Sequence, residues 1–242
     1  METIETQVPG SSKRILITGI LLAFLLPSVV LLADRYFLPV LHIDILSAGS
    51  FFISRCLLWI SLAVLWLYAK RKEQRPFLLW NEKEYDAGFY VAALMIMMLV
   101  IFAGSVGISL LIKLAGPIQQ SSRFADVMKV LQHNYPLMFF TLITAGIMEE
   151  LVFRGYLLPR LNLLFKNKWL SIVLSSILFG LIHLGWGTIQ NVVVPFFIGI
   201  IFAIFYERYR NIKILMLCHF LWDLLVLSLS LASASGKITP HQ

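Results

Sequence analysis

The sequence predicts an all-α, polytopic membrane protein of about seven transmembrane helices (six to eight), with a polar helix bundle in its C-terminal half. Three observations carry this. Of the 242 residues, 59% are apolar and only 14% charged, where soluble domains run at about 45–50% and 25%. Mean hydropathy is +0.84. The apolar residues also fall into runs of about 20, the length that crosses roughly 30 Å of hydrocarbon as a helix. Lipid must be the solvent for most of the chain, which excludes a soluble enzyme, a nucleic-acid-binding domain and a disordered chain. The formal net charge of +7 matters for where its basic residues lie, between the greasy runs.

The first span is read at Ile15 to Ala33, after Lys13 and Arg14. It is long for a signal sequence and no small-x-small cleavage pattern follows, so it is expected to stay, with Pro27 as a kink. The second covers about Leu46 to Ala69 and contains Arg55; the third is uncharged from Ala87 to Ile112. The segment from Lys113 to Asn134 is expected to hold a short interfacial helix with Phe124, Met128 and Leu131 on one face. The remaining spans are read at Tyr135 to Leu158, Trp169 to Trp186, Val192 to Tyr206 and Ile214 to Ala234. With no repeat or long linker, residues 1–242 read as a single membrane domain. Residues 1–134 carry no motif, and 135–234 form the core bundle. Cys56 and Cys218 lie in apolar runs and read as small buried hydrophobes.

Cytoplasmic segments hold an excess of Lys and Arg. With a cytoplasmic N-terminus, that side receives Lys13, Arg14, Lys70, Arg71, Lys72, Arg75, Lys83, Arg160, Lys166, Lys168, Arg208, Arg210 and Lys213. The other side keeps Arg35, Lys113, Arg123, Lys129 and Lys237.

Three stretches break the rule that spans are uncharged: Glu149-Glu150-Leu151-Val152-Phe153-Arg154, Phe179-Gly180-Leu181-Ile182-His183 and His219-Phe220-Leu221-Trp222-Asp223. Each Glu, Arg or Asp at bilayer depth costs about 2.5–3.5 kcal/mol. Four left unpaired would cost on the order of 10 kcal/mol, comparable with a domain's whole stability. They must face one another or a wet cavity. Glu150 and Arg154 are i,i+4 and can pair on one helix face, while Glu149 points about 100° away. His219 and Asp223 share a stripe, as do Phe179 and His183. A carboxylate beside an imidazole in a restricted pocket can take a proton from water, as in peptide hydrolysis. A second imidazole can stabilise an oxyanion; Asp223 donates directly only if protonated and otherwise orients His219. The same types of residue could hold zinc, so Glu149, His183, His219 and Asp223 are also a candidate metal set. No His-Glu-x-x-His is present.

At these residues the chain resembles the CPBP family, the type II CAAX prenyl endopeptidases and bacteriocin-processing or self-immunity proteins also called the Abi family. The family's Glu-Glu-x-x-x-Arg, Phe-x-x-x-His and His-x-x-x-Asn/Asp stand here, in order, as EELVFRG from Glu149, FGLIH from Phe179 and HFLWD from His219. The resemblance covers roughly Thr141 to Leu225. It implies an intramembrane endopeptidase, either glutamate- or metal-dependent, in which Glu149 and His183 activate water. It further implies that His219 and Asp223 line the oxyanion side, while Glu150, Arg154 and Phe179 support the site. Its expected partners are membrane lipid and a peptide or membrane-anchored protein, with no nucleic acid. Its expected setting is a bacterial plasma membrane. A transporter using the same charges as a relay, or a non-catalytic immunity protein, is the alternative. The site is expected to open in the cytoplasmic half. Arg55 is read as pairing with Asp44 or reaching water, Met95, Met97 and Met98 as packing, and Trp169 and Tyr206 as interface anchors. Gly180, Gly185 and Gly199 are read as points of close helix approach.

Overall fold

The computed structural model describes residues 10–40, 47–117, 119 and 121–235. Every element in it is helical: α1 Gly10–Val40, α2 Ala48–Glu73, α3 Ala87–Ala115, α4 Ser122–Leu131, α5 Tyr135–Phe165, α6 Lys168–Trp186, α7 Gln190–Tyr209 and α8 Ile212–Ser235. All but α4 are long and apolar enough to cross a bilayer, matching the seven expected spans. Asp44, the suggested partner of Arg55, lies outside the described residues.

Local chemistry sets the helix ends. Side-chain oxygens of Ser47, Asp86, Ser121, Asn134, Asn167 and Asn211 accept from the backbone N–H three residues on, at 2.8–3.1 Å. Each satisfies a donor that a starting helix leaves unpaired. At the other ends Gln74, Lys166 and Arg210 turn into the left-handed region (φ 54, 52 and 50°), which stops helical propagation. The short α4 buries Val127, Met128 and Leu131 and turns Lys129 outward, the amphipathic helix that was expected.

Two features depart from the sequence reading. α5 does not stop near Leu158 but runs to Phe165, and its middle is wound as π-helix over Ala145–Glu149 and Leu151–Leu157. Arg160 is therefore no cytoplasmic loop residue. It is fully buried, donating to Glu73 at 2.6 and 2.8 Å and to the carbonyls of Pro76 and Phe77. Tyr156 Oη donates to the same carboxylate at 2.6 Å. This staple fixes the end of α2 and the segment after it against α5. A second set of bonds holds the following segment to the α7–α8 turn. Tyr206 Oη and the Ile212 N–H donate to Glu82 at 2.6 and 2.7 Å, and Asn211 donates to the Lys83 carbonyl at 2.8 Å. Tyr206 is thus buried in the core rather than anchoring at an interface; Trp169 is exposed.

Small residues let α6 and α7 touch. A Cβ on Gly199 would meet the Ser176 backbone at 3.1 Å, and one on Gly180 the Val192 carbonyl oxygen at 3.0 Å. Gly185 does not act this way, since its nearest neighbour would be the Arg123 guanidinium at 3.6 Å. Of the three methionines, Met97 is in the core and Met95 faces outward.

Candidate active site

Glu149 ends the first π turn of α5 and Glu150 stands between it and the second. The π-helix is a form found as isolated turns and often at functional sites. Glu150 is fully buried, and its Oε1 receives Arg154 Nη1 at 2.8 Å, as the i,i+4 spacing predicted. The same oxygen also receives His219 Nδ1 from α8 at 2.8 Å. Spacing along one helix could not reveal that second bond, which makes Glu150 the joint between α5 and α8. On its other nitrogen, His219 faces Asp223 Oδ2 at 3.5 Å. The Arg154 guanidinium, 1% exposed, lies 4.2 Å from the centre of the Phe179 ring and 5.3 Å from that of Phe202. Facing an aromatic ring is favourable for a desolvated cation.

Phe179 is the hub. Its ring meets His183 at 5.0 Å and His219 at 6.1 Å, both edge-on, and Phe153 at 5.1 Å. The Ser175 hydroxyl donates to the Phe153 carbonyl at 3.1 Å, tying α6 to the π turns of α5. His183 sits where α6 tightens into a 3₁₀ turn over Ile182–Trp186. Its Nδ1 lies 2.8 Å from the Phe179 carbonyl oxygen. A carbonyl can only accept, so Nδ1 carries the proton and Nε2 is left to act on something else.

Glu149, Phe179, His183, His219 and Asp223 all line one cavity of about 900 Å³; Glu150 and Arg154 stand behind its wall. Glu149 Oε2 is buried and takes no hydrogen bond from the protein. The sequence reading missed Thr141, Trp222 and Arg55 as further lining residues. No motif marked Thr141 or Arg55, and Trp222 stands at an unspecified position of the third motif. Arg55 donates to Ser54 Oγ at 3.2 Å and lies over Phe51.

The expected donor set is not gathered into a metal site. Nδ1 of His183 bonds a carbonyl and Nδ1 of His219 a carboxylate, contacts that orient Nε2 of both rings for proton transfer and for metal ligation alike. Among the described residues no three His, Cys, Asp or Glu side chains are grouped to hold an ion.

The residues lining the cavity lie mostly toward the end of the bundle remote from the start of α1. Its walls come from the second halves of α1, α3 and α6, from the first halves of α2, α5 and α7, from α4 and from the middle of α8. In an up-and-down bundle those halves share one end, opposite the start of α1 and the α5–α6 and α7–α8 turns. Glu149 sits deeper than a span ending at Leu158 would place it. Seven further residues of α5, roughly 10 Å at 1.5 Å each, lie beyond that point.

Residues 131–225, about two-fifths of the chain, match the family model described as Rce1-like, type II CAAX prenyl endopeptidase. No curated protein and no solved structure matches the chain. The matched stretch holds all three motifs and every catalytic candidate, so over residues 131–225 the resemblance to the CPBP intramembrane proteases is shown, in its Rce1-like branch.

Proposed function

We propose that this protein is an intramembrane endopeptidase that hydrolyses a peptide bond of a membrane-associated protein or peptide with a water activated by Glu149 and His183. One observation carries the reading. Glu149 has a buried carboxylate oxygen without a protein partner, and it faces a cavity that also holds two imidazoles with fixed ring orientations. A buried acceptor of this kind is costly unless a bound molecule donates to it.

Each residue then has a task. Glu149 removes one proton from the attacking water, while Nε2 of His183, free because Nδ1 donates to Phe179, accepts a hydrogen bond from the remaining O–H; the proton held on Glu149 then passes to the leaving amine as the C–N bond breaks. His219, held at Nδ1 by Glu150, turns Nε2 toward Asp223 and the cavity, where a donor would stabilise the oxyanion of the tetrahedral intermediate. Arg154 and Phe179 keep Glu150 and both imidazoles in register.

The test is cleavage of a lipid-anchored, quenched-fluorescent peptide by purified protein in proteoliposomes. Glu149→Gln should lower the rate by about 10²–10⁴-fold, the usual contribution of a positioned acid or base, without changing thermal stability. Dialysis against a strong chelator should leave the parent rate unchanged. Cleavage by Glu149→Gln at the parent rate would remove the reading, and loss of activity on chelation that zinc restores would replace it with a metal mechanism.

A further inference from the structure

We propose that the hydroxyl of Thr141, together with that of Ser105, holds the backbone of an extended peptide segment at a subsite three to four residues from the bond that is cut. That this peptide is a substrate rests on the peptidase reading above; that it binds does not. Among the described residues two buried side-chain hydroxyls have no hydrogen-bond partner, those of Ser105 and Thr141. Elsewhere in its apolar helices the chain satisfies hydroxyls locally. Ser28, Ser109, Ser171, Ser176, Ser230 and Ser233 each donate to the carbonyl four residues back, at 2.6–2.9 Å. Such back-bonding is the common arrangement for a serine or threonine inside a helix. The two hydroxyls that depart from it both belong to residues lining the cavity that Glu149 faces, one on α5 and the other on α3. A buried hydroxyl without a partner is costly unless a bound molecule supplies one.

Spacing along α5 says where on the peptide this contact falls. Thr141, Leu142, Ala145, Met148 and Glu149 all line the cavity, so one stripe of the helix runs from the proposed base to the threonine. Thr141 stands eight residues before Glu149, about 12 Å at 1.5 Å per residue. An extended peptide advances about 3.3 Å per residue and covers that distance in three to four residues. Between its two polar ends the stripe presents only the apolar Leu142, Ala145 and Met148. The N–H and C=O groups of a peptide drawn out of water along such a wall need partners. A threonine hydroxyl both donates and accepts, so it serves either group. This part of α5 is also held in place, because Trp59 Nε1 on α2 donates to Thr144 Oγ1 at 3.0 Å. Thr141 thus meets the peptide far from the reacting atoms, and its contribution is to binding rather than to the chemical step.

The test reads binding and cleavage separately, with the full chain in proteoliposomes and a lipid-anchored fluorescent peptide as probe. Binding is measured in the Glu149→Gln protein, which holds the peptide without cutting it. Adding Thr141→Val should raise Kd about 3–10-fold, the contribution of one neutral hydrogen bond, and Thr141→Ser should restore it. With Glu149 intact, Thr141→Val should raise KM by the same factor and leave kcat within about twofold. Thr141→Ala makes the same deletion should the valine variant fail to accumulate. Replacing the probe's amides one at a time by esters then locates the contact. At one position, three to four residues from the cut mapped by mass spectrometry, the ester and Thr141→Val should not add; a merely structural hydroxyl would leave all positions equivalent. Kd and KM unchanged in Thr141→Val, or full additivity at every ester, would overturn the subsite while cleavage that depends on Glu149 upholds the peptidase reading. Binding that depends on Thr141 without cleavage by the parent would uphold the subsite and remove the peptidase reading, and a probe that binds neither protein would overturn both. Ser105→Ala should weaken binding over the same range, and parent-like binding would remove that residue from the subsite.

Discussion

Glu150 is the carboxylate on which the buried part of the site depends, and Glu150→Ala tests that dependence quantitatively. Its side chain is fully buried, and one oxygen holds both Arg154 and His219 at 2.8 Å. Truncation leaves a guanidinium, itself 1% exposed, without a carboxylate partner. Its Nε and Nη2 already lack hydrogen bonds. The rings of Phe179 and Phe202 attract the cation with or without Glu150, so they offset nothing. Breaking a buried pair from one side costs about 3–5 kcal/mol, a large part of the roughly 5–15 kcal/mol that holds a domain folded. Replacing both partners with apolar residues, Glu150→Leu with Arg154→Met, removes the stranded charge and should recover most of the loss, because such swaps are often neutral or stabilising. Activity should not return with stability, since His219 has lost the acceptor that fixed Nδ1. Denaturant unfolding in detergent micelles measures the first effect and peptide cleavage in proteoliposomes the second. A single variant within about 1 kcal/mol of the parent, or a double variant as unstable as the single, would refute the reasoning on buried pairs.

Two further substitutions probe the frame around the site. Tyr156→Phe deletes the 2.6 Å hydrogen bond to Glu73 and should cost about 1.5–3 kcal/mol, the range for bonds to charged groups. Cleavage per folded molecule should be unchanged; unaltered unfolding would show that Arg160 alone satisfies that carboxylate. Gly180→Ala places a methyl 3.0 Å from the Val192 carbonyl oxygen and from Phe196 Cβ. Overpacking against backbone should cost about 1–3 kcal/mol, and a variant as stable as the parent would mean that α6 and α7 can part without loss.

The sequence by itself determined that this chain lives in lipid, how many helices cross it, and which residues are too costly to sit there without a joint purpose. Each of those conclusions follows from composition and from periodicity within one helix. Runs of about 20 apolar residues leave the backbone little choice in hydrocarbon but to form helices, and i,i+4 spacing alone pairs Glu150 with Arg154. Tertiary structure decided everything that joins one helix to another. The bond from Glu150 to His219 spans 69 residues and the Arg160–Glu73 staple 87, so no local pattern encodes either. Arg160 looked like an ordinary loop cation because its partner lies on a different helix. The π turns that carry Glu149 and flank Glu150 were likewise hidden, since the apolar pattern of α5 does not distinguish them from α-helix. The end of the bundle that holds the cavity was fixed only by which halves of the helices leave space between them. That is a property of packing, and a single helix has no record of it.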